Sequence, residues 1–415
     1  MSLPARNTLA IVGAGPIGLE AAVAALDAGL DVHVFERGEV GAHVIAWGHV
    51  RMFTPWRMNL GPACRSHLEL SGWSVPDLDA LPTGLEYAER YLLAVARLPE
   101  LSARVHAHSQ VVHIGRRGLV KGDAFDAARR REQPFRLMVR DAGGRENFLH
   151  AFAVIDASGV YGQPNWAGDG GIPARSEIYL APHMSYHVDD VLDLRRARYA
   201  GKRTMVIGGG ASAATVAGDL VKLAGEAPGT AATWVTRETA DLAYADDASD
   251  PLAERRALFA RARALIRGES SALKHAGGAV VEGFEYNSAT HRYRVALRAD
   301  EQIVVEEVEQ VIVNTGYHPD DSLYHELHVR EDFLGDSFAA PRPVGGSGDR
   351  AIAAEAEPSE GATDAAALAH PEPDFYILGS KSRGRSGDFL LETGFRQVAA
   401  VIARTIRDVG AVVAG

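Results

Sequence analysis

One local pattern occurs twice in this chain and constrains its fold more than any other feature. Residues 9–36 contain an apolar run, a glycine-rich turn, an alanine-rich stretch and a second apolar run, and the same order returns from Lys202 to residue 238. Each copy predicts a strand, loop, helix and strand of an α/β fold. Since roughly 150 residues per domain is usual, a chain of 415 residues has room for two or three domains, two of them Rossmann-like.

The first glycine turn, "GAGPIG", has the G-x-G-x-x-G spacing of a dinucleotide-binding loop. In that pattern Gly13 makes the tight turn, Gly15 lets a pyrophosphate approach the backbone, and Gly18 lets the helix pack closely on the strand. Glu36 ends the next strand, where a carboxylate can accept hydrogen bonds from ribose hydroxyls. The pattern predicts a dinucleotide site, against the alternative of an ordinary α/β turn. The predicted contact residues also include Pro16, Ile17 and Arg37.

The second glycine turn, in "TMVIGGGASAATVAG", follows the G-x-G-x-x-A variant, with Gly208, Gly210 and Ala213 at the three positions. Arg237 ends the following strand in place of an acid. A guanidinium there suits a 2′-phosphate and predicts NADPH, although a plain surface cation is the alternative. The predicted contact residues also include Ala211 and Ser212.

Two dinucleotide sites on one chain usually mean a fixed flavin and a diffusible hydride donor. We therefore expect FAD at the first loop and NADPH at the second, with NADH as an open alternative. Two further stretches, "AVIDASGVYGQP" and "QVIVNTGYHPD", each end an apolar strand in a small residue and a glycine. Small residues are needed where backbone passes closely beside a cofactor, which predicts contacts from Gly159, Thr315 and Gly316.

Charge and cysteine content exclude several classes of function. The net charge of −11 disfavours a nucleic-acid partner. No secretory signal or membrane-length apolar run is evident, so we expect a cytoplasmic protein without a membrane partner. The single cysteine, Cys64, can form neither an internal disulfide nor a dithiol pair, and we expect it to be a small buried residue. We expect no metal, because His183 and His187 have helical spacing but no glutamate between them and follow Pro182 closely.

The sequence resembles the class B flavin-dependent monooxygenases, and within them the small bacterial flavin-containing monooxygenases. The resemblance rests on "GAGPIG" with "FERG", "AWGHVRMFTPW", "GKRTMVIGGGASAA", "TWVTRE" with "YADD", "VNTGYHP" and the final "YILGS…GDFLLETGF". The family reduces FAD with NAD(P)H, captures O₂ as a flavin hydroperoxide, and transfers one oxygen atom to a small organic substrate. The resemblance therefore implies a flavoprotein monooxygenase whose partners are a small-molecule substrate and O₂.

The resemblance also implies roles for individual residues, none of which it marks as catalytic. Trp47 would lie against the flavin, and Gly379 with Asp388 near its ribityl chain or ring. Arg51 and Asn59 would line the substrate pocket. Asn59 is the amide nearest to Pro55, which stands where the eukaryotic-type members carry an asparagine.

The implied architecture is an FAD-binding domain interrupted by an inserted NAD(P)H-binding domain. The predicted divisions are 1–190 and 321–415 for the FAD domain and 191–320 for the inserted domain, with a mobile segment at 335–373. A homodimer is also expected. The alternative functions are an FAD-dependent NAD(P)H reductase or oxidase that passes electrons to a quinone, a protein or O₂, and a non-catalytic flavin redox sensor.

Overall fold

In the computed structural model the two glycine loops lie in separate units of the chain. Unit 1 comprises Met1–Gln163 and His318–Gly415, and unit 2 comprises Pro164–Tyr317. The structure describes residues 4–123, 126–240, 244, 249–331, 337–338 and 365–413. Most of the predicted mobile segment 335–373, and residues 245–247 of "YADD", lie outside the described residues.

The boundaries of the inserted unit differ from the predicted ones. Residues 164–190, assigned from sequence to the first domain, belong to unit 2. The reason is strand-like pairing with residues that are distant in the sequence. Ser185 bridges to Ile312, and Arg175 bridges to Gly283. Such contacts are set by tertiary packing and leave no local pattern in the sequence. At its other end the unit stops at Tyr317, close to the predicted residue 320.

The strands, in chain order, are β1 Thr8–Val12, β2 Asp31–Phe35, β3 Val105–His106, β4 Gln110–Arg116, β5 Phe135–Arg140, β6 Glu146–Ala151, β7 Ala153–Asp156, β8 Arg203–Ile207, β9 Ala231–Thr236, β10 Leu273–Gly277, β11 Val280–Asn287, β12 Arg292–Ala299, β13 Gln302–Val308, β14 Gln310–Val313 and β15 Phe375–Ile377.

The α-helices are α1 Pro16–Asp27, α2 Ala42–Ala46, α3 Trp56–Asn59, α4 Pro62–Leu70, α5 Gly84–Tyr87, α6 Leu93–Ala96, α7 Pro99–Ser102, α8 Ala127–Glu132, α9 Glu177–Leu180, α10 Arg196–Tyr199, α11 Ala211–Glu226, α12 Ala253–Ile266 and α13 Leu391–Val413. A π-helical turn, Ala88–Leu92, joins α5 to α6. None of the described helices combines the length and apolar character that crossing a membrane requires.

Unit 1 is built on a parallel sheet with the strand order β15-β7-β1-β2-β3. Every residue of β1 is buried, as expected for a parallel strand that is covered on both faces. Helix α1 packs beside α13 on this sheet. A separate antiparallel sheet has the strand order β4-β5-β6.

Unit 2 has a parallel sheet with the order β10-β9-β8-β14 and an antiparallel sheet with the order β11-β12-β13. In both units the glycine loop follows the central strand and begins a helix, α1 after β1 and α11 after β8. Because the carboxyl ends of parallel strands share one edge, each loop lies beside the residues that follow the neighbouring strands. This edge is where ligands bind in open α/β sheets.

Candidate functional site

The first glycine loop is shaped by two close backbone approaches. Gly13 has φ +98°, and a Cβ on it would lie 2.8 Å from the carbonyl oxygen of Ala157, just beyond β7. A Cβ on Gly18 would lie 1.9 Å from the Gly13 oxygen. Neither position can carry a side chain without a shift of backbone. The tight turn and close helix packing expected of these glycines are therefore features of the structure.

Gly15 differs from the other two glycines because its surroundings are open. A Cβ on Gly15 would meet no atom of the described residues within 4 Å, and its φ of −84° is available to any residue. Gly15 precedes α1, whose unpaired N–H groups and positive dipole end favour an anion. The free space at this position fits a pyrophosphate, which is the group the motif predicts there.

Glu36 braces the same loop from the end of β2. One carboxylate oxygen accepts a hydrogen bond from the Ala14 N–H at 2.9 Å, and the other accepts from the Gly38 N–H at 2.8 Å. The side chain is partly exposed. Each oxygen of a carboxylate can accept further hydrogen bonds, so Glu36 keeps the capacity to bind ribose hydroxyls.

Two predicted contact residues of this loop are oriented by the protein itself. The Ile17 side chain is buried, with Gly379 and Gly394 so near that their Cβ atoms would lie 3.2 Å and 2.4 Å from it. Only the backbone of Ile17 is therefore open to a ligand. Arg37 is exposed, and its Nη2 lies 3.2 Å from His43 Nε2.

Strands β7 and β15 bring a buried ion pair to the same edge. Lys381 Nζ donates to Asp156 Oδ2 at 2.6 Å, and both side chains have no exposed surface. The other Asp156 oxygen accepts from the N–H and hydroxyl of Ser158. These bonds fix the loop that places the Ala157 carbonyl against Gly13. No local pattern in the sequence predicts the pair, since its partners are 225 residues apart.

The other residues expected around the flavin are two glycines with positive φ, an exposed aspartate and a partly buried tryptophan. Gly159 has φ +72° and faces the Ser380 hydroxyl, and Gly379 has φ +75° and donates its N–H to Gln397 Oε1 at 2.9 Å. Asp388 is exposed before α13, which begins at Leu391. Trp47 is partly buried, with its ring against Gly84.

The two residues expected in the substrate pocket are each hydrogen-bonded to nearby backbone, and their place in a pocket stays a prediction. The Asn59 amide is buried, accepts from the Thr54 hydroxyl at 2.7 Å, and donates to the carbonyls of Thr54 at 2.9 Å and Pro55 at 3.1 Å. Both amide hydrogens are thus used within the turn before α3, which gives Asn59 a structural role. Arg51 is exposed, and its Nη1 donates to the Leu81 carbonyl at 2.6 Å.

Cys64 is buried, as expected from the sequence, and lies in the first turn of α4. Burial raises the pKa of its thiol well above the ordinary value, and the nearby Glu20 carboxylate raises it further. Glu20 accepts hydrogen bonds from the N–H groups of Ala63 at 2.9 Å and Cys64 at 3.0 Å. A protonated thiol in this environment is a poor nucleophile.

The second glycine loop repeats the geometry of the first. Gly208 has φ +140°, and a Cβ on it would lie 2.1 Å from the carbonyl oxygen of Asn314, just beyond β14. Cβ atoms on Gly209 and Gly210 would meet no described atom within 4 Å. Ala211 and Ser212 form the first turn of α11 and are partly exposed. Open space again lies at the start of a helix.

Arg237 directly follows β9 and is exposed at the carboxyl edge of the unit 2 sheet. This is the position that Glu36 occupies after β2 in unit 1. Beyond β14, the Thr315 hydroxyl donates to the Asn165 carbonyl at 2.8 Å, and Gly316 adopts φ +88°. The backbone after β14 is therefore hydrogen-bonded to residue 165. Thr315 and Gly316 are the small residue and the glycine at this close approach.

The histidine pair does not have the helical arrangement considered from sequence. His183 ends a short 3₁₀ turn, whereas His187 follows the extended pairing of Ser185 with Ile312. His187 Nδ1 lies 3.1 Å from the Tyr317 hydroxyl, and burial lowers its pKa. Within the described ranges there is no group of three or more His, Cys, Asp or Glu side chains placed to hold a metal.

The chain is similar to a known protein family and to several solved structures. A family model described as pyridine nucleotide-disulphide oxidoreductase matches residues 10–119, which include the first loop and Glu36. A search of curated protein sequences finds no match.

Solved structures match almost the whole chain at low identity. Bacillithiol disulfide reductase from Bacillus cereus has a TM-score of 0.67 at 18% identity, covering 97% of this chain and 99% of its own. A cadaverine monooxygenase from Erwinia amylovora, bound to FAD, has a TM-score of 0.61 at 14% identity, with 98% and 95% covered. An ornithine N-hydroxylase from Kutzneria sp. 744, with reduced FAD, NADP⁺ and ornithine, has a TM-score of 0.59 at 20% identity, with 98% and 99% covered.

At these identities the likeness shows a shared fold. The predicted fold class, two Rossmann-like dinucleotide-binding domains with one inserted into the other, is confirmed. The similar structures include the class B monooxygenases to which the sequence was likened, together with a disulfide reductase.

Proposed function

We propose that the protein is an FAD-dependent, NAD(P)H-using oxidoreductase, and specifically a monooxygenase that places one oxygen atom of O₂ in a small organic substrate. The observation that carries the proposal is the pair of glycine loops at the carboxyl edges of two parallel sheets. An acid, Glu36, follows the neighbouring strand at one loop, and a base, Arg237, at the other. Bound FAD would supply the hydride acceptor and the reaction with O₂.

In this proposal unit 1 holds FAD. The open space at Gly15 and the start of α1 receive the pyrophosphate, and Glu36 receives the ribose hydroxyls. Unit 2 holds NADPH in the same manner, with the pyrophosphate at Gly210 and the 2′-phosphate at Arg237. NADH is a weaker alternative because it has no 2′-phosphate for the guanidinium to bind.

Disulfide reduction through a thiol of this chain is not supported. That chemistry needs an accessible thiolate, and usually a second thiol to resolve the mixed disulfide. The only cysteine, Cys64, is buried with a raised pKa. The likeness to a disulfide reductase therefore does not support a thiol mechanism in this chain.

The second candidate is an FAD-dependent reductase or oxidase that delivers electrons to a quinone, a protein or O₂. One observation favours it: the Asn59 amide, the expected polar group of the substrate pocket, is fully hydrogen-bonded within its own turn. A non-catalytic redox sensor is less favoured, because the second loop retains the open geometry that a nicotinamide cofactor needs.

The decisive experiment follows both electrons and oxygen in the purified FAD-loaded protein. NADPH is added without oxygen, and the loss of flavin absorbance is timed. ¹⁸O₂ is then admitted with a panel of amines that includes ornithine and cadaverine, and of sulfides and ketones. For a monooxygenase, one compound should accelerate NADPH oxidation, carry one ¹⁸O atom, and lower the hydrogen peroxide released per NADPH.

Two other outcomes would contradict the monooxygenase proposal. Transfer of all electrons from NADPH to peroxide with every compound would identify an oxidase, and rapid oxygen-independent transfer to a quinone would identify a reductase.

Asn59→Ala is an internal check, because it should lower the free energy of unfolding by about 1–3 kcal/mol and leave the yield of peroxide per NADPH unchanged. A changed yield would indicate that Asn59 lines the substrate pocket.

The proposal includes a cytoplasmic protein that acts on a small molecule, and a homodimer. Sedimentation velocity of the FAD-loaded protein tests the dimer, since a single species with the mass of one chain would exclude it.

A further inference from the structure

Two carbonyl groups of the second glycine loop are held by aromatic side chains from outside the loop. The Trp234 indole N–H donates to the Gly208 carbonyl at 2.9 Å, and the Tyr244 hydroxyl donates to the Gly210 carbonyl at 2.9 Å. Trp234 belongs to β9 and has no exposed surface, and Tyr244 is also buried. The bond from Tyr244 is additional to the helix, since the Gly210 carbonyl already accepts the ordinary helical bond from Ala214.

Fixing these carbonyls also fixes the direction of two N–H groups. In a planar trans peptide the C=O of one residue and the N–H of the next point in opposite directions. The Gly208 carbonyl is paired in this way with the Gly209 N–H, and the Gly210 carbonyl with the Ala211 N–H. Both N–H groups therefore point away from the aromatic donors.

The loop also has open space beside it at two of its glycines. Cβ atoms on Gly209 or Gly210 would meet nothing within 4 Å in the part of the chain that is described. Across the same part of the chain, no acceptor is found for the N–H of Gly209 or Ala211. Two peptide donors thus face the space where an anion would bind.

The donors are themselves held rigidly. The Tyr244 ring packs on Trp234 at 5.3 Å and on Phe259 at 5.1 Å between ring centroids. The Tyr244 carbonyl accepts from Arg263 at 2.9 Å. Burial, and then the Glu238 charge, raise the pKa of the Tyr244 hydroxyl, so it stays protonated and able to donate at any working pH.

We propose that Trp234 and Tyr244 are positioning residues of the second dinucleotide site, which hold the loop carbonyls so that the Gly209 and Ala211 N–H groups face the cofactor pyrophosphate. The inference rests on the proposed role of unit 2 in binding NADPH and adds residues that the motif does not contain. Because NADPH and NADH share the pyrophosphate, the two side chains affect both cofactors equally. Arg237, in contrast, affects only the cofactor with the 2′-phosphate.

The test removes each hydrogen-bond donor and leaves an aromatic ring in its place. Tyr244→Phe and Trp234→Phe are prepared as FAD-loaded proteins, and dissociation constants for NADP⁺ and NAD⁺ are measured by calorimetry without turnover. Each variant should bind both nucleotides about 2- to 10-fold more weakly, as expected for the loss of one neutral hydrogen bond. The ratio of the two dissociation constants should equal that of the wild type.

Two matched variants control for the chemical change itself. Tyr293→Phe removes a buried hydroxyl that donates to the His183 carbonyl at 3.3 Å in the same unit. Trp73→Phe removes an indole N–H that donates to the Arg90 carbonyl at 2.9 Å in unit 1. Both should keep the wild-type affinities, even where their melting temperatures fall as far as those of the test variants.

The outcomes separate this inference from the proposed function. Wild-type affinity in Tyr244→Phe and Trp234→Phe would overturn the inference and leave NADPH binding intact. A loss for NADP⁺ alone would also overturn it, because the shared pyrophosphate would then not be the group affected. If the wild type binds neither nucleotide, both the nicotinamide site and this inference fall. Should Trp234→Phe fail to fold, Tyr244→Phe decides the question.

Discussion

The two glycine loops have similar backbones but are held by different kinds of hydrogen bond. In the first, the Ala14 N–H donates to Glu36, and Pro16 at the start of the helix has no N–H. In the second, the matching Gly209 and Ala211 N–H groups find no acceptor in the described part of the chain, and the carbonyls are held by Trp234 and Tyr244. The first loop thus uses a peptide donor to fix the acid that follows β2, whereas the second has two more peptide donors without an acceptor among the described residues.

The third position of the motif shows a further difference. A Cβ on Gly18 would lie 1.9 Å from the Gly13 carbonyl, so helix α1 packs on the loop as only a glycine allows. The matching residue in unit 2 is Ala213, which is fully buried. The second helix therefore stands slightly farther from its loop, and the glycine signature alone does not specify the packing distance.

The largest expected effect comes from filling the open space at the second glycine of each loop. Gly15→Val should abolish FAD binding and keep NADP⁺ binding, and Gly210→Val should do the reverse. Both residues have negative φ, and a Cβ on either would meet no described atom within 4 Å, so the fold should tolerate the side chain that the ligand cannot. FAD absorbance per chain and NADP⁺ calorimetry give the two readouts. Loss of both cofactors in either variant would show that the loops are not independent sites.

Exchanging the third residues should affect stability more than binding. Gly18→Ala places a methyl group against a backbone oxygen and should lower the free energy of unfolding by about 1–3 kcal/mol. Ala213→Gly creates no clash and should cost about 1 kcal/mol through helix propensity. Thermal unfolding of the FAD-free proteins measures both. Equal costs would mean that the two helices pack on their loops alike.

Much of this comparison could be predicted from sequence, because its elements are local. The strand, glycine turn, helix and following acid or base occur within about 30 residues, where spacing determines geometry. Gly13 makes the tight turn and Gly18 the close helix packing that the pattern predicts, whereas cofactor contacts at Gly15 and Glu36 stay predictions. Cys64 is also buried as expected.

The features that could not be predicted depend on distant parts of the chain. Lys381 and Asp156 meet only because β15 pairs with β7. Trp234 and Tyr244 reach the second loop through packing that no spacing rule specifies. Asn59 was assigned to a pocket by resemblance, but an amide can equally support its own turn, and only the hydrogen-bond partners distinguish the two roles.

Acid should affect unit 1 through His370, which has no counterpart at the loops. Burial and then the Arg330 charge lower the pKa of His370 to about 4 from an ordinary value of 6.5. The unfolded chain therefore takes up the proton first, and stability present above pH 6.5 is lost as the pH falls toward 4, by about 3 kcal/mol.

Replacing His370 tests this pH dependence. His370→Asn retains an acceptor for the Arg330 N–H and should flatten the fall in stability between pH 6.5 and 4, as measured by urea unfolding. His325→Asn removes an exposed histidine of the same unit and should leave the fall unchanged. An unchanged slope in His370→Asn would assign the acid sensitivity to other groups.

The smallest expected effect concerns the charges that follow the two second strands. The order is Glu36 then Arg37 in unit 1, and Arg237 then Glu238 in unit 2. If the first residue of each pair contacts the ribose, Arg237→Ala should raise the KM for NADPH by the factor that corresponds to about 1–3 kcal/mol. The KM for NADH should stay almost unchanged. Arg37→Ala, which removes an exposed cation from the second position of its pair, should change neither KM. Equal losses for NADPH and NADH in Arg237→Ala would mean that the guanidinium supports the fold of the edge, and that the reversed order of charges does not distinguish the two sites.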